Sequence, residues 1–225
     1  MHFSAIMRVV IVGGTGETGQ HAVKQCLDLD HHVTAVVRST AKLTMKHPHL
    51  NVVTGDIFNA ESLAPHFKNQ EAVLYCLGFG SPYKGTTLYN DSIKPIVEAM
   101  KSASINRLIT CSSWFTNTES NSRSMNVLIR WVIMPALQGM VDDIARMEKY
   151  VVEDGEINYT FVKPSRLVNE AMVEEEKILS EEGDFIPSNA WVPKIPRANV
   201  AKFMIHCLTD SKWDKKNVAI AVKSM

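Results

Sequence analysis

The apolar run Val9-Val10-Ile11-Val12 leads directly into Gly13-Gly14-Thr15-Gly16-Glu17-Thr18-Gly19 and then into an amphipathic stretch from Gln20 to Leu29. That order predicts a buried strand, a tight turn and a helix. Gly14-x-Gly16-x-x-Gly19 fits the fingerprint of a dinucleotide-binding turn. One glycine permits the bend, the next lets backbone approach a pyrophosphate, and the last lets the helix pack on the sheet. The helix amino terminus then offers free N–H groups and partial positive charge to phosphates. Residues Gly13, Gly14, Thr15, Gly16, Glu17, Thr18 and Gly19 are thereby assigned to a phosphate cradle. Glycines alone would also suit an ordinary strand-to-helix turn; the strand before them and the helix after them favour the cradle.

Composition narrows the alternatives. At 225 residues, 45% hydrophobic and 21% charged, the chain can bury the core of one domain. Lys plus Arg and Asp plus Glu number 24 each, so no global field draws in nucleic acid or an anionic membrane. The expected partner is a small-molecule substrate, and the expected state a monomer. Cys26, Cys76, Cys111 and Cys207 are widely spaced and form no C-x-x-C, which reads as reduced thiols, two of them in apolar strand patterns. Met1 to Arg8 lack a basic segment followed by a long apolar run, so a signal peptide is not expected and a cytoplasmic location is.

Along the chain, strand-length apolar runs alternate with helical patterns. Strands are expected at Val9 to Val12, Val33 to Val37, Asn51 to Thr54, Ala72 to Leu77, Leu108 to Cys111, Tyr159 to Val162 and Val218 to Val222. Helices follow at Ala60 to Phe67, Thr87 to Ala103, Gln138 to Glu153 and Arg197 to Leu208. The fold class is α/β, a single Rossmann-type, doubly wound, mainly parallel sheet in β-α order throughout, with substrate-side excursions at about 114–137 and 165–196. The apolar stretch Val127 to Leu137 is interrupted by Arg130 and Pro135 and is too short to span a bilayer; it suits a buried helix or a lid.

An acidic residue after the second strand would hold the ribose 2′-hydroxyl of NAD. Here the strand ends Val36-Val37-Arg38-Ser39-Thr40-Ala41-Lys42, without a carboxylate. Arg38 can stack on adenine and bond a 2′-phosphate, with Ser39, Thr40 and Lys42 as further donors, so NADP(H) is expected over NAD(H). The plainer alternative leaves Arg38 as an exposed strand-end residue. Gly55-Asp56-Ile57 ends the third strand where adenine would lie, and Leu77-Gly78 ends the fourth beside the ribose and nicotinamide. Asp56 either accepts from the adenine amino group or caps a helix.

These residues, with Cys111-Ser112-Ser113, Val141-Asp142-Asp143-Ile144-Ala145-Arg146-Met147 and Ile195-Pro196-Arg197-Ala198-Asn199-Val200-Ala201, give the chain a family likeness. It resembles the atypical short-chain dehydrogenases of the NmrA-like, NAD(P)H-binding group, nearest to the flavin reductase (NADPH), or biliverdin IXβ reductase, branch. The resemblance implies NADPH-dependent reduction of flavins, and of linear tetrapyrroles such as biliverdin, at a shallow site above the nicotinamide. Two departures stand out. Lys163-Pro164-Ser165-Arg166 occupies the place of the family's Pro-Pro-His, so Arg166 stands where a histidine would, and the segment Trp114 to Pro135 is longer than in the flavin reductases.

Alcohol-acting short-chain dehydrogenases use Tyr-x-x-x-Lys on a helix, the lysine lowering the tyrosine pKa. The Gln138 to Glu153 helix has no such pair, and Tyr159-x-x-x-Lys163 falls in a strand, where residues four apart stand about 13 Å from each other. What remains at the carboxyl end of the fifth strand is Ser112-Ser113. Ser113 either bonds the nicotinamide amide or a substrate carbonyl, or caps a turn. Trp114 and Phe115 supply an aromatic face or pack in a core. Arg166 either meets charge on the acceptor or pairs with Glu174-Glu175-Glu176. His31-His32 and His47-Pro48-His49 lack cysteine or carboxylate at ligand spacing, so they read as surface turns and no metal is expected. Two functions are left: an NADPH-dependent reductase of conjugated acceptors, catalysed by Ser112, Ser113 and Arg166, or a non-catalytic NADP(H)-binding sensor. Sensors of that kind usually carry a larger carboxyl-terminal lobe than follows Lys163 here, which favours the enzyme.

Overall fold

The computed structural model describes residues 5–78, 87–117, 134–187 and 193–223. Its centre is β1 (Arg8–Val12), whose Val9, Val10, Ile11 and Val12 are wholly buried. Alternation sends Val9 and Ile11 to one face of the sheet and Val10 and Val12 to the other, so this strand needs a helical layer on each side. On the first face lie α1 (Glu17–Asp28) and α5 (Arg197–His206), through Ala22, Val23, Val200, Ala201 and Met204. On the second lie α2 (Ala60–Phe67), α3 (Leu88–Ser102) and α4 (Met134–Asp154), through Leu63, Phe67, Ile93, Ile96, Ile144 and Met147.

β2 (His32–Val37) and β3 (Leu50–Thr54) extend the sheet from one side of β1. From the other side it continues through β4 (Ala72–Tyr75), β5 (Arg107–Cys111), β6 (Asn158–Pro164) and β10 (Lys216–Val222). With β8 (Ile178–Glu182) at the far edge, the order β3-β2-β1-β4-β5-β6-β10-β8 reverses direction between β1 and β4, which opens a crevice at their carboxyl ends.

The turn into α1 is closed to the limit of contact. Gly13 adopts φ +85°, and a Cβ on it would lie 2.6 Å from the Cys76 carbonyl oxygen at the end of β4. A Cβ on Gly19 would lie 2.1 Å from the Gly13 carbonyl oxygen. The positive-φ bend is thus made by Gly13, one position before the fingerprint's first glycine.

Several expectations need correction. No α-helix joins β2 to β3; a one-turn 3₁₀ helix, Thr40–Lys42, does. The expected excursion at 165–196 is only partly one. β8 (Ile178–Glu182) joins the main sheet antiparallel to β10, while β7 (Arg166–Val168) and β9 (Lys194–Pro196) form a separate two-stranded sheet. These strands are short and only partly buried, so they carry no strong alternation. Of the stretch expected as a buried helix or lid, Val127 to Leu137, residues 127–133 lie outside the described ones, and the described part of α4 runs from Met134. The histidines are not all surface residues. His31 is buried and its Nδ1 accepts from the Met7 N–H at 3.1 Å; burial holds its pKa below the ordinary value, with Asp30 and Glu71 opposing. No described helix is long and apolar enough to cross a membrane.

The α1 closure is testable. Gly19→Ala must push the helix off the turn and is expected to lower unfolding free energy by about 3 kcal/mol in urea denaturation, the upper end of ordinary overpacking. Gly78→Ala meets nothing within 4 Å and should leave stability nearly unchanged. Equal stabilities for the two variants would contradict the contact.

Candidate functional site

The carboxyl ends of β1 to β6 bring most of the sequence-derived candidates to one edge. At its centre, Gly16 is the N-cap of α1, its N–H donating to the Gly13 carbonyl at 3.0 Å, and no side chain caps the helix. The first-turn N–H groups therefore keep their capacity to bind an anion. Thr15 is half-buried with its carbonyl accepting from Gln20 Nε2 at 3.0 Å, Thr18 is buried, and Gly14 meets Val23. A side chain at Gly16 would touch only backbone oxygens, at 3.4 Å and beyond. This bare, glycine-walled helix end fits a dinucleotide pyrophosphate.

At the end of β2, Arg38, Ser39 and Lys42 are exposed, and neither cation has an ion pair among the described residues. Across on β3, the Asp56 carboxylate accepts from the Phe58 N–H at 3.0 Å in a local turn, while Asn59, accepting from Ser62 N–H at 3.2 Å, is the cap of α2. Asp56 is thus no helix cap. Ile57 is buried among Leu63 and Phe67, so it borders the site from beneath. Leu77 is half-buried and Gly78 exposed at the end of β4.

The two serines after β5 part company. Ser112 is buried and gives its hydroxyl proton to Glu148 of α4. The other Glu148 oxygen accepts from Thr116 at 2.8 Å and from Lys163 at 2.8 Å. Lys163, at 0% exposure, also donates to Asp184 at 2.6 Å and to Thr116. Asn217 Nδ2 adds a donor to Asp184 at 3.3 Å. One ammonium is thus shared by two carboxylates, with hydroxyl and amide donors supplying the remaining bonds. With its proton committed, Ser112 turns only lone pairs elsewhere. Ser113 is half-buried and its hydroxyl has no hydrogen bond among the described residues.

Tyr159 is no partner for Lys163 in acid catalysis. Its ring stacks on Phe161 at 4.4 Å along β6, and burial, then the charge of Glu148, push its phenol pKa up rather than down. Trp114 turns inward, 5% exposed, against Ile186, Ala219 and Ala221; Phe115, at φ +67°, is half-buried beside Phe185 at 5.5 Å. Trp114 therefore packs in a core, and Phe115 is the ring nearer to solvent. Arg166 is exposed in register with Lys194 and has no ion pair among the described residues. The acidic run is engaged elsewhere, Glu174 with Lys177 at 3.0 Å and Glu175 with Lys202 at 2.8 Å. Glu17, expected at the phosphates, pairs with Arg197 at 3.1 Å.

Glu148, Lys163, Asp184 and Thr116 were not among the sequence candidates. Two signals in the sequence mark them: Lys163 continues the apolar run Phe161-Val162, and Glu148 lies on the stripe of Val141, Ile144 and Val151. A groove of about 250 Å³ lined by Arg8, His32, Thr34, His49 and Gln70 opens at the amino ends of β1 to β3, away from the crevice where such sheets bind ligands. Among the described residues, no group of three His, Cys, Asp or Glu suits a metal ion.

A family model described as NAD(P)H-binding matches residues 13–211. The Photosystem II assembly factor Ycf39 of Synechocystis sp. is 41% identical over 69 residues, 30% of this chain and 21% of that protein. The match to a second curated relative covers 60% of it, so the chain spans less than two thirds of either. The oxidoreductase ylbE of Lactococcus lactis superposes with a TM-score of 0.80 at 17% identity, over 97% of this chain and 92% of that one. A provisionally named NADH-flavin reductase of Streptococcus pneumoniae does so with 0.71 at 16% identity, over 96% and 100%. The shared fold is the mostly parallel sheet between helical layers.

The buried network sets a stability expectation. Lys163→Met leaves two buried carboxylates without a cation and should cost about 3–5 kcal/mol, whereas Glu148→Gln keeps an acceptor for Ser112 and should cost about 1–3 kcal/mol. Chemical denaturation distinguishes the two; a Lys163→Met protein as stable as its parent would show that the charges are not buried together.

Proposed function

Since the chain belongs to the NAD(P)H-binding family, we propose that it is an NADPH-dependent oxidoreductase reducing conjugated acceptors: flavins such as FMN and riboflavin, and linear tetrapyrroles such as biliverdin. One observation carries this reading: among the described residues no activated acid is poised at the end of β5, where the unengaged Ser113 hydroxyl has no base beside it to make it a proton source. Ser112 gives its proton to Glu148, the Tyr159 phenol holds its proton more tightly than usual, and Lys163 is closed in by three partners. A ketone reduced to an alkoxide needs a proton at once. A flavin spreads the new charge over N1 and its carbonyl region and takes its proton from solvent, so positioning suffices. The structural neighbour provisionally named an NADH-flavin reductase supports the choice of acceptor.

A bound reduced nicotinamide would supply the hydride. The chain's own part is to hold and orient. Gly13 to Gly19 receive the pyrophosphate on the end of α1. Arg38, Ser39 and Lys42 grip a 2′-phosphate, with no acid nearby on that segment to favour NADH. Asp56 and Ile57 border the adenine, and Leu77, Gly78 and Ser112 border the ribose and nicotinamide. Ser112, with lone pairs alone to offer, accepts from a ribose hydroxyl or carboxamide N–H. Ser113 bonds the carboxamide or the acceptor, Phe115 offers an aromatic face, and Arg166 meets a phosphate or the charge developed on reduction.

Arg38→Ala should weaken NADPH binding by about 1.5–3 kcal/mol and leave NADH nearly unchanged in calorimetry. Equal affinity of the parent for both cofactors would overturn the NADP assignment. NADPH oxidation with FMN, riboflavin and biliverdin in turn tests the acceptor. FMN should outperform riboflavin, and Arg166→Ala should narrow the gap by raising KM for FMN if the contact is to its phosphate. A protein that binds NADPH and reduces none of the three is a cofactor sensor instead.

A further inference from the structure

Glu17 opens α1, and its carboxylate stands in the first turn of the uncapped helix that forms the phosphate cradle. It carries the same sign of charge as a pyrophosphate and is drawn to the same partial positive end. It is not left bare. One oxygen lies 3.1 Å from Nη2 of Arg197, and the other accepts from Asn169 Nδ2 at 2.5 Å. Arg197 is the first residue of α5 and only 21% exposed in its side chain, against 59% for Glu17. Its positive charge also acts on the Cys111 thiol at the end of β5, opposing the effect of burial there. The guanidinium is thus fixed at the start of α1, and its charge is felt at the end of β5. The backbone that carries it is tied to α1 by Gln25 Nε2 donating to the Ala198 carbonyl at 3.0 Å.

We propose that Arg197 is the counter-charge of the cofactor site: by pairing with Glu17, held also by Asn169, it keeps that carboxylate from repelling the dinucleotide phosphates. The inference rests on the cofactor reading above and names the residue pair that sets the affinity. Neither residue needs to touch the nicotinamide. Without the arginine, an uncompensated negative charge remains on the helix end that must take two more.

The test measures NADPH affinity of the purified protein by fluorescence, with the melting temperature of each cofactor-free variant beside it. Arg197→Ala should weaken binding about tenfold, Arg197→Lys should retain most of it, and Glu17→Gln should tighten it about two- to threefold. The double variant Arg197→Ala with Glu17→Gln should return to within about twofold of the parent. A structural link alone would lower the melting temperature in both single variants without this rescue of affinity. Unchanged binding by Arg197→Ala overturns the proposal, as does a double variant as weak as Arg197→Ala, which would place Arg197 on the phosphates itself. A parent that binds neither NADPH nor NADH overturns the cofactor reading, whereas a parent that binds NADPH with a flat variant series overturns only the counter-charge.

Discussion

The contact on which the arrangement depends is backbone on backbone, between the start of α1, the turn at Gly13 and the end of β4. A single added carbon at Gly19 would sit 2.1 Å from a carbonyl oxygen, and one at Gly13 would sit 2.6 Å from another. With no side chain between them, helix, turn and two strands are locked at the point where the strand order reverses. The helix end is bare for a separate reason: its N-cap, Gly16, has no side chain to offer, although one would fit there. Packing thus fixes the turn through Gly13 and Gly19, while Gly16 gives the crevice its chemical character.

The second support is polar. Lys163, Glu148, Asp184, Ser112, Thr116 and Asn217 join β5, α4, β6 and β10 with the segment that follows β8. An ammonium placed between two carboxylates in a dry interior is held less by its own attraction than by the cost of leaving any member unpaired. By taking the Ser112 hydroxyl inward, the network fixes the chain that follows. Ser113 is left with no hydrogen-bond partner for its hydroxyl among the described residues, Trp114 turns into a core, and Phe115 takes a left-handed backbone.

The architecture was legible where burial is complete and periodic: β1, β2, β4 and the inward faces of α3 and α4 declare themselves in runs of Val, Ile and Leu. The glycine turn was legible because its chemistry is local. The short strands β7, β8 and β9 were not, since their pairing is decided by partners distant in the chain. Lys163 and Glu148 were passed over for a related reason: a charge within an apolar pattern reads as an interruption until the opposite charge from another element is beside it. Arg38, Ser39 and Asp56 lie at the strand ends where the sequence put them, while Trp114 and Ile57 show that a residue at the right edge can still point into the core.

Among the described residues, β8 ends the sheet on the side away from β3, and it runs against the direction of the strand it pairs with. Its last residues are Glu181 and Glu182, the latter matched by Lys216 of β10 at 2.8 Å. Exposed sheet edges invite other strands to add to them, and charge on the edge is one of the ways chains discourage it. A second copy of β8 laid parallel along it would set Glu181 beside Glu181 and Glu182 beside Glu182, and one laid antiparallel would set each glutamate against Leu179 or Ile178. The strand that completes the sheet also guards it against templated growth.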